Sequence, residues 1–203
     1  MVVYSGPMPI DALLLPVISS SLDADSRSRA LALRAAESLR SAGHEAVFVD
    51  LAEANLPAFD NRAAFVSARF QEIHELIRTA DGVVLASPVY NWGLGSNLKN
   101  LIESTGATGD GQRTAAWFDK VVTFICAGGL PHSYMGYTAL ASSMMLDFKC
   151  VINPYAVYST DRDWEAPDAP SGQLLDRLKK TLTVHTELAT LLKDRMYSSG
   201  WEI

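Results

Sequence analysis

The 203-residue chain, at 22.0 kDa, is long enough for one substantial hydrophobic core but too short for two, so we expect a single domain. Its 48% hydrophobic and 20% charged residues predict a folded protein, and a net charge of −6 without basic runs disfavours nucleic-acid binding. No apolar stretch approaches the roughly 20 residues of a membrane span, and no basic segment precedes an apolar one at the N-terminus. We therefore expect a cytoplasmic protein.

Predicted strands and helices alternate along the chain. The strands are short apolar runs, typical of strands covered on both faces, and the helices carry apolar residues at helical spacing. In chain order, we predict a strand over 12–18, a helix over 25–42, a strand over 45–50, a helix from Phe65 to Ile77, a strand over 82–86, a helix over 96–103, a strand over 121–127, a helix over 137–148, a strand over 150–157 and a helix over 171–193. Five such alternations predict a parallel sheet with helices on both faces.

Glycine and proline residues mark the predicted boundaries. Gly43 stands where the cap of the first helix is expected, and Pro88 predicts that the third strand ends near Ser87. Pro16 is unexpected in a central strand, which needs its backbone N–H groups. We assign residues 1–10 to an N-terminal arm, 11–195 to the folded domain and 196–203 to a C-terminal tail.

The cysteines and histidines give weaker signals. Cys126 and Cys150 lie in or beside apolar runs without zinc or redox spacing, which predicts buried, reduced thiols. Among the four histidines only His132 is of interest, because it follows a glycine-rich turn after a strand. These residues predict no metal site.

The first of three candidate loops is rich in serine. If the strands are parallel, the loops after the first, third and fourth strands share one edge of the sheet, where such folds bind ligands. The first loop offers hydroxyls and helix N–H groups that suit a phosphate, and arginines that add charge. Its candidate residues are Ser19, Ser21, Ser26, Arg27, Ser28 and Arg29. The alternative is that Ser26 or Asp25 simply caps the helix.

The second and third loops suit a flat ring. The second contains Pro88, Val89, Tyr90, Asn91 and Trp92, followed by glycines that let backbone approach a ligand closely. The third offers closely spaced backbone amides at Gly128 and Gly129. A simple turn is the alternative for each. Together, the three loops describe a mononucleotide site of FMN size.

Two strings resemble the flavodoxin-like NADPH-dependent FMN reductases, a family related to quinone, azo-compound and chromate reductases. The chain reads S-P-V-Y-N at 87–91 and L-K-N-L-I-E at 98–103, matching the family pattern S-P-x-Y-N followed by L-K-N-x-I-[DE]. The family's first loop, G-S-L-R-x-x-S-x-N-x-x-L-A, lies over 20–32. The residues that agree there are Ser21, Leu22, Ser26, Leu31 and Ala32.

The resemblance implies a doubly wound, five-stranded parallel sheet of order 2-1-3-4-5. It implies that Ser21, Ser26 and Ser28 hold the phosphate of FMN, that residues 88–92 contact the isoalloxazine, and that the amides at 128–129 donate to its pyrimidine end. NADPH or NADH would donate hydride, and a flavin, a quinone or a similar small molecule would accept electrons. Lys99 and Asn100 are interpreted as structural, and a homodimer or homotetramer is expected.

The chain departs from the family pattern in both loops. In the first, Ser20 replaces glycine, Asp23 replaces arginine and Ser28 replaces asparagine, which removes one positive charge. In the second, Trp92 replaces a small residue, and its bulk would narrow the substrate site or shield the flavin.

Two alternative functions are open at this point. The first is a flavodoxin-type electron carrier, which binds FMN without oxidising a pyridine nucleotide. The second is a hydrolase built on Ser87 or on the serines at 19–21. No G-x-S-x-G motif supports the hydrolase. For the oxidoreductase no side-chain acid or base is strictly required, so we name no catalytic residue and treat Tyr90 and His132 only as candidates near the reacting face.

Overall fold

A parallel sheet forms the centre of this computed structural model, which describes residues 12–107 and 115–195. The predicted N-terminal arm, the C-terminal tail and residues 108–114 lie outside the described residues. The strands are β1 (Leu14–Ser19), β2 (Glu45–Asp50), β3 (Gly82–Tyr90), β4 (Gly93–Leu94), β5 (Val121–Ala127), β6 (Val151–Ile152), β7 (Val157–Ser159), β8 (Trp164–Ala166) and β9 (Ala169–Pro170). The helices are α1 (Arg27–Ser41), α2 (Leu51–Ala54), α3 (Ala68–Thr79), α4 (Ser96–Gly106), α5 (Thr138–Phe148) and α6 (Gly172–Leu192).

The strand order confirms the predicted topology. The sheet runs β2-β1-β3-β5, and both β6 and β7 pair in parallel with the outer edge of β5. Counting β6 and β7 as one interrupted strand gives the order 2-1-3-4-5. β4 forms an antiparallel hairpin with β3, while β8 and β9 form a separate hairpin. The carboxyl ends of β1, β3, β5 and β7 therefore share one edge.

Two apolar layers cover the sheet because successive strand residues point to opposite faces. Phe124 belongs to a layer with side chains of α3, α4 and α5, whereas its neighbour Ile125 belongs to a layer with α1 and α6. Both cysteines are buried in the first layer as free thiols, and burial raises the pKa of each to about 12. The prediction of buried, reduced thiols is confirmed.

The predicted fifth strand is interrupted. Asn153 follows β6: its backbone N–H still donates to Val122 O at 2.9 Å, and its side-chain amide donates to Thr123 Oγ1 at 2.9 Å and to Thr181 O at 3.0 Å. Its Oδ1 accepts the Tyr155 N–H at 2.9 Å. The side chain of Asn153 thus replaces strand pairing with a local turn before β7, as asparagine often does.

The predicted helix from Phe65 to Ile77 is also divided. Residues Ala63–Val66 form a short 3-10 helix, and Ser67 then adopts an extended backbone and caps α3 through the Phe70 N–H. A serine in this position competes with helix continuation because its hydroxyl satisfies a free N–H at a helix start.

The third strand is longer than predicted because Pro88 does not end it. The ladder between β1 and β3 ends at Ser19 and Ala86, and the Ser20 N–H donates to Ala86 O. The missing N–H of Pro88 lies on the edge of β3 that faces β1, and β1 has already ended at this level. On its other edge, β3 continues to pair with β5 as far as Pro88 and Ala127. At Pro16 the missing N–H delays the ladder, and pairing of β1 with β3 begins at Val17.

Candidate functional site

Three consecutive serines lie where β1 ends, at the carboxyl edge of the sheet. Ser19, Ser20 and Ser21 are all buried, and the hydroxyls of Ser19 and Ser20 have no hydrogen-bond partner among the described residues. Leaving a buried hydroxyl unpaired costs about 1–3 kcal/mol. Two such groups at one sheet edge are donors that a polar ligand could pair.

The start of α1 has free N–H groups next to these serines. Ser26 occupies the N-cap position with an extended backbone but makes no side-chain cap, and its Oγ instead lies 2.9 Å from Ser28 Oγ. The first turn contains no acidic residue. The Ser26 side chain therefore does not cap α1, and the helix end keeps donors and a dipole suited to an anion; that a ligand binds there stays a prediction.

The two arginines of this loop are both engaged by carboxylates. Arg27 forms an ion pair with Asp161, and its Cζ lies 5.4 Å from the centroid of the Trp164 ring. Arg29 Nε donates to Asp50 Oδ2 at 2.6 Å, where the Asp50 carboxylate is buried. The loop therefore presents neutral donors to a ligand, which differs from the prediction that these arginines add charge for a phosphate.

The second candidate loop is a tight hairpin between β3 and β4. Asn91 and Trp92 form its turn with φ of 49° and 64°, and positive φ at both central residues is typical of a type I′ turn. The Ser87 hydroxyl accepts the Gly95 N–H at 3.1 Å and so fixes the hairpin to the start of α4. Pro88 and Val89 are buried, and the exposed side chains of this loop are Tyr90, Asn91 and Trp92.

Trp92 occupies a backbone conformation that a bulky residue rarely adopts. The second position of a type I′ turn is usually glycine, since a left-handed conformation costs a side chain about 1–2 kcal/mol. The Trp92 ring is 60% exposed, and its centroid lies 5.4 Å from that of His132 at an interplanar angle of 35°. The hairpin and the third loop thus meet through these two rings.

The third loop is held close to the hairpin by a glycine. A Cβ on Gly136 would lie 2.8 Å from Val89 Cγ1 and 3.2 Å from Ser133 O, so only glycine fits there. The Gly128 N–H donates to Ser159 O at 2.9 Å and is used within the fold. Gly129 is exposed, and its N–H donates no backbone hydrogen bond within the described structure. Of the two glycine amides, that of Gly129 is therefore the one available to a ligand.

The structure gives no support to a hydrolase. The hydroxyl of Ser87 is fully buried and bonded to backbone groups of Pro88 and Gly95. Two of the histidines interact with residues other than these serines: His185 bonds Thr123, and His132 contacts Trp92. In residues 12–107 and 115–195, no cluster of His, Cys, Asp or Glu side chains could hold a metal ion, and no helix is long and apolar enough to cross a membrane.

Three residues outside the predicted set bear on the site. Ser159 ends β7 at the same sheet edge, Trp164 follows it, and both are buried with an unpartnered polar atom, Oγ and Nε1 respectively. Asp161 between them engages Arg27. The parallel sheet places Ser159 at this edge, but sequence reasoning ended the fifth strand at Val157, and no local pattern distinguishes Trp164 or Asp161.

The predicted structural residues of the hairpin region behave as expected. Asn100 Oδ1 accepts the Phe59 N–H at 2.7 Å, and its Nδ2 donates to Pro57 O at 3.0 Å, which fixes the 51–61 connection to α4. Lys99 forms an ion pair with Glu103 at 3.0 Å, one helical turn further on. These contacts agree with the structural interpretation of Asn100, whereas that of Lys99, which lines a cavity together with Trp92, stays a prediction.

Comparison with solved structures finds flavodoxin-like oxidoreductases. A flavoenzyme NAD(P)H:(acceptor) oxidoreductase, FerB, from Paracoccus denitrificans is 18% identical with a TM-score of 0.69, over 89% of this chain and 98% of that one. An NADH:FMN oxidoreductase, EmoB, gives 15% and 0.66, over 91% and 92% of the two chains. An NAD(P)H:quinone oxidoreductase from Methanothermobacter marburgensis gives 15% and 0.60, over 87% and 99%. These similarities show the fold.

The sequence itself identifies the family. No curated protein gives a significant match. Residues 14–165, three quarters of the chain, match the family described as NADPH-dependent FMN reductase. The unpartnered serine hydroxyls and the uncapped start of α1 fit the phosphate of FMN. The chain therefore belongs to the NADPH-dependent FMN reductase family and is an FMN-binding flavin oxidoreductase that takes electrons from NAD(P)H.

Proposed function

We propose that this enzyme reduces a small planar acceptor, such as a free flavin or a quinone, by hydride transfer through bound FMN. The observation that supports it is a division of the sheet edge into two kinds of surface. Unpartnered polar donors lie at β1 and α1, and exposed aromatic rings lie at the β3–β4 hairpin. A ligand with a phosphate at one end and a flat ring at the other matches both.

The polar end would hold the phosphate. The proposed ligands are Ser21, Ser26 and Ser28, together with the first N–H groups of α1. Hydroxyls and helix N–H groups are neutral donors, but the helix dipole concentrates positive potential at their position. This arrangement does not require a free cation in the loop.

The aromatic end would hold the isoalloxazine. Tyr90, Asn91 and Trp92 project from the hairpin turn, and the Gly129 amide is placed on the neighbouring loop. FMN, when bound, accepts a hydride from the nicotinamide and delivers electrons to the acceptor. The task of the chain is to position both rings and to limit water at the ring face. We assign no acid or base; Tyr90 and His132 are the candidates for contact with a substrate.

Trp92 is proposed to set the acceptor range. Its indole is held between the hairpin and His132, where it narrows access to the exposed face of the site. A large aromatic ring favours flat, apolar acceptors that stack on it over compact charged ones. The left-handed backbone at Trp92 supports this role, because strained residues persist mainly where function requires them.

The deciding experiment combines a spectrum with turnover. Purified protein is titrated with FMN, then reduced anaerobically with NADPH and NADH in turn, and steady-state rates are measured with FMN, a quinone and an inorganic oxidant. We expect saturable FMN binding, flavin bleaching by a pyridine nucleotide and turnover with planar acceptors. FMN binding without NAD(P)H oxidation would indicate a flavodoxin-type carrier, and absence of FMN binding would refute the proposal.

A matched pair of variants isolates the role of Trp92. Trp92→Gly should change the KM ratio between a quinone and an inorganic oxidant, whereas Tyr134→Ala removes a comparably exposed aromatic ring from the third loop. If both variants change the ratio equally, general loss of aromatic surface explains the effect and the specific role is refuted. The homo-oligomeric state and cytoplasmic location stay predictions.

A further inference from the structure

The segment that joins β7 to α6, residues 160–171, lies against the first turn of α1, and we call it the strap. The Asp163 carboxylate accepts both the Thr160 N–H and the Thr160 hydroxyl, at 2.8 and 3.0 Å, and forms an ion pair with Arg177. The Ser171 N–H donates to Asp163 O at 2.8 Å. The strap is therefore a folded unit fixed at both ends.

The link from the strap to α1 is Arg27. This arginine, the first residue of α1, forms an ion pair with Asp161, and its guanidinium lies over the Trp164 ring. Trp164 packs in the apolar layer shared by α1 and α6, beside the sheet that ends at Ser159. Helix α1 packs on β1, β3 and β5, and its first residue contacts the strap.

Two unpartnered donors lie here, one in the strap and one in Ser159, the last residue of β7. The Trp164 indole N–H and the Ser159 hydroxyl are both buried without a hydrogen-bond partner in the described structure. The indole of Trp117, which is also buried, differs because its Nε1 donates to Thr105 Oγ1 at 2.7 Å. Buried polar groups are nearly always paired, so these two unpaired groups, one at the end of β7 and one in the ring beside the Arg27 guanidinium, indicate a missing acceptor. An indole N–H can only donate, so its missing partner must be an acceptor such as an anion or a carbonyl oxygen.

We propose that Trp164 Nε1 and Ser159 Oγ are further donors to the phosphate of the cofactor, and that Arg27 is a positioning residue. Arg27 holds the strap in place through Asp161 and does not itself contact the phosphate. The recognised chemistry is a phosphate monoester dianion. This inference rests on the proposed function only in taking FMN as the source of that phosphate, and inorganic phosphate serves as an independent probe.

Binding measurements with FMN and riboflavin test the two donors, because riboflavin lacks the phosphate. Trp164→Phe and Ser159→Ala should each weaken FMN binding about tenfold or more, as expected for a hydrogen bond to a charged group, and leave riboflavin binding within about twofold. Both substitutions remove an unpaired buried group, so neither should lower the melting temperature of the flavin-free protein by more than a few degrees. Trp117→Phe is the matched control, and it should lower that melting temperature without changing FMN affinity.

A double-mutant cycle tests the positioning role. If Arg27 acts through Asp161, then Arg27→Ala and Asp161→Asn weaken FMN binding by similar factors, and the double variant is no weaker than either. If Arg27 bound the phosphate directly, Arg27→Ala alone would weaken FMN binding and Asp161→Asn would leave it unchanged or tighter. Asp161 is exposed, so its substitution does not threaten folding.

Nuclear magnetic resonance of the indole N–H groups gives a readout independent of turnover. The Trp164 signal, assigned by its loss in Trp164→Phe, should shift on titration with FMN and with inorganic phosphate, while that of Trp117 should not. A Trp164 signal unmoved by both probes, or wild-type FMN affinity in Trp164→Phe, overturns the inference. Failure of the wild type to bind any flavin overturns the proposed function instead, and the phosphate titration then still decides the role of Trp164.

Discussion

The buried histidine of α6 makes protein stability depend on pH. His185 is fully buried, and its Nδ1 lies 2.9 Å from Thr123 Oγ1, while its Nε2 has no partner among the described residues. Burial, with a smaller contribution from the charge of His44, lowers the pKa of His185 from 6.5 to about 4. The folded protein therefore holds this ring neutral at pH values where the unfolded chain binds a proton.

The sign and size of the effect follow from this difference. Below pH 6.5 the unfolded chain takes up a proton that the folded protein accepts only near pH 4, so the free energy of unfolding decreases as the pH falls through that window. At 1.36 kcal/mol per pH unit, the gap between 6.5 and about 4 corresponds to about 3 kcal/mol. Above pH 6.5 the histidine contributes no pH dependence.

Urea denaturation of the wild type and of His185→Gln isolates this contribution. Glutamine does not titrate, and its amide can still bond Thr123, so the variant should lose about 3 kcal/mol less than the wild type between pH 7 and pH 4. Carboxylates contribute to the pH dependence of both proteins and cancel in the difference. Equal losses in the two proteins, with equal m-values, would refute the claim that neutral His185 is a condition of folding.

Three further predictions concern the hairpin and its supports. Asn100→Ala removes two hydrogen bonds to the 51–61 connection and should destabilise the protein by about 2 kcal/mol in urea unfolding, with FMN affinity kept. Gly136→Ala places a Cβ 2.8 Å from Val89 Cγ1 and should weaken riboflavin and FMN binding alike in fluorescence titrations, because the hairpin must shift. Trp92→Gly relieves the left-handed backbone and should leave the unfolding free energy within about 1 kcal/mol of wild type, or raise it, in the same denaturation assay.

The parts of the fold that sequence could predict depend on local patterns. The strand Val121–Ala127 was predicted at its observed bounds, because a run of six apolar residues and Thr123 ends at a glycine pair. The cap at Gly43 was confirmed by its φ of 92°, which glycine adopts without strain. Alternation of such segments predicted a parallel sheet and a shared edge for the candidate loops, whereas the strand order came from the family resemblance.

The parts that sequence could not predict depend on distant partners. Arg27 reads as a phosphate ligand beside four serines, but it forms an ion pair with a residue 134 positions away. The extension of β3 through Pro88 depends on where β1 stops, and the interruption after β6 depends on acceptors in β5 and α6 that Asn153 reaches. Each outcome is decided by a contact that forms only when the sheet has assembled.

The charge distribution explains why a neutral site suits this chain. With a net charge of −6, the whole protein repels both a flavin phosphate and a pyridine nucleotide, but charges beyond about 8 Å are largely screened at physiological ionic strength. Binding then depends on the groups in direct contact, and here both nearby arginines are already paired with carboxylates. Hydroxyls, helix N–H groups and an indole N–H must therefore provide the affinity through geometry. We therefore expect added salt to weaken FMN binding only slightly, because binding releases no counterion and involves no free cation.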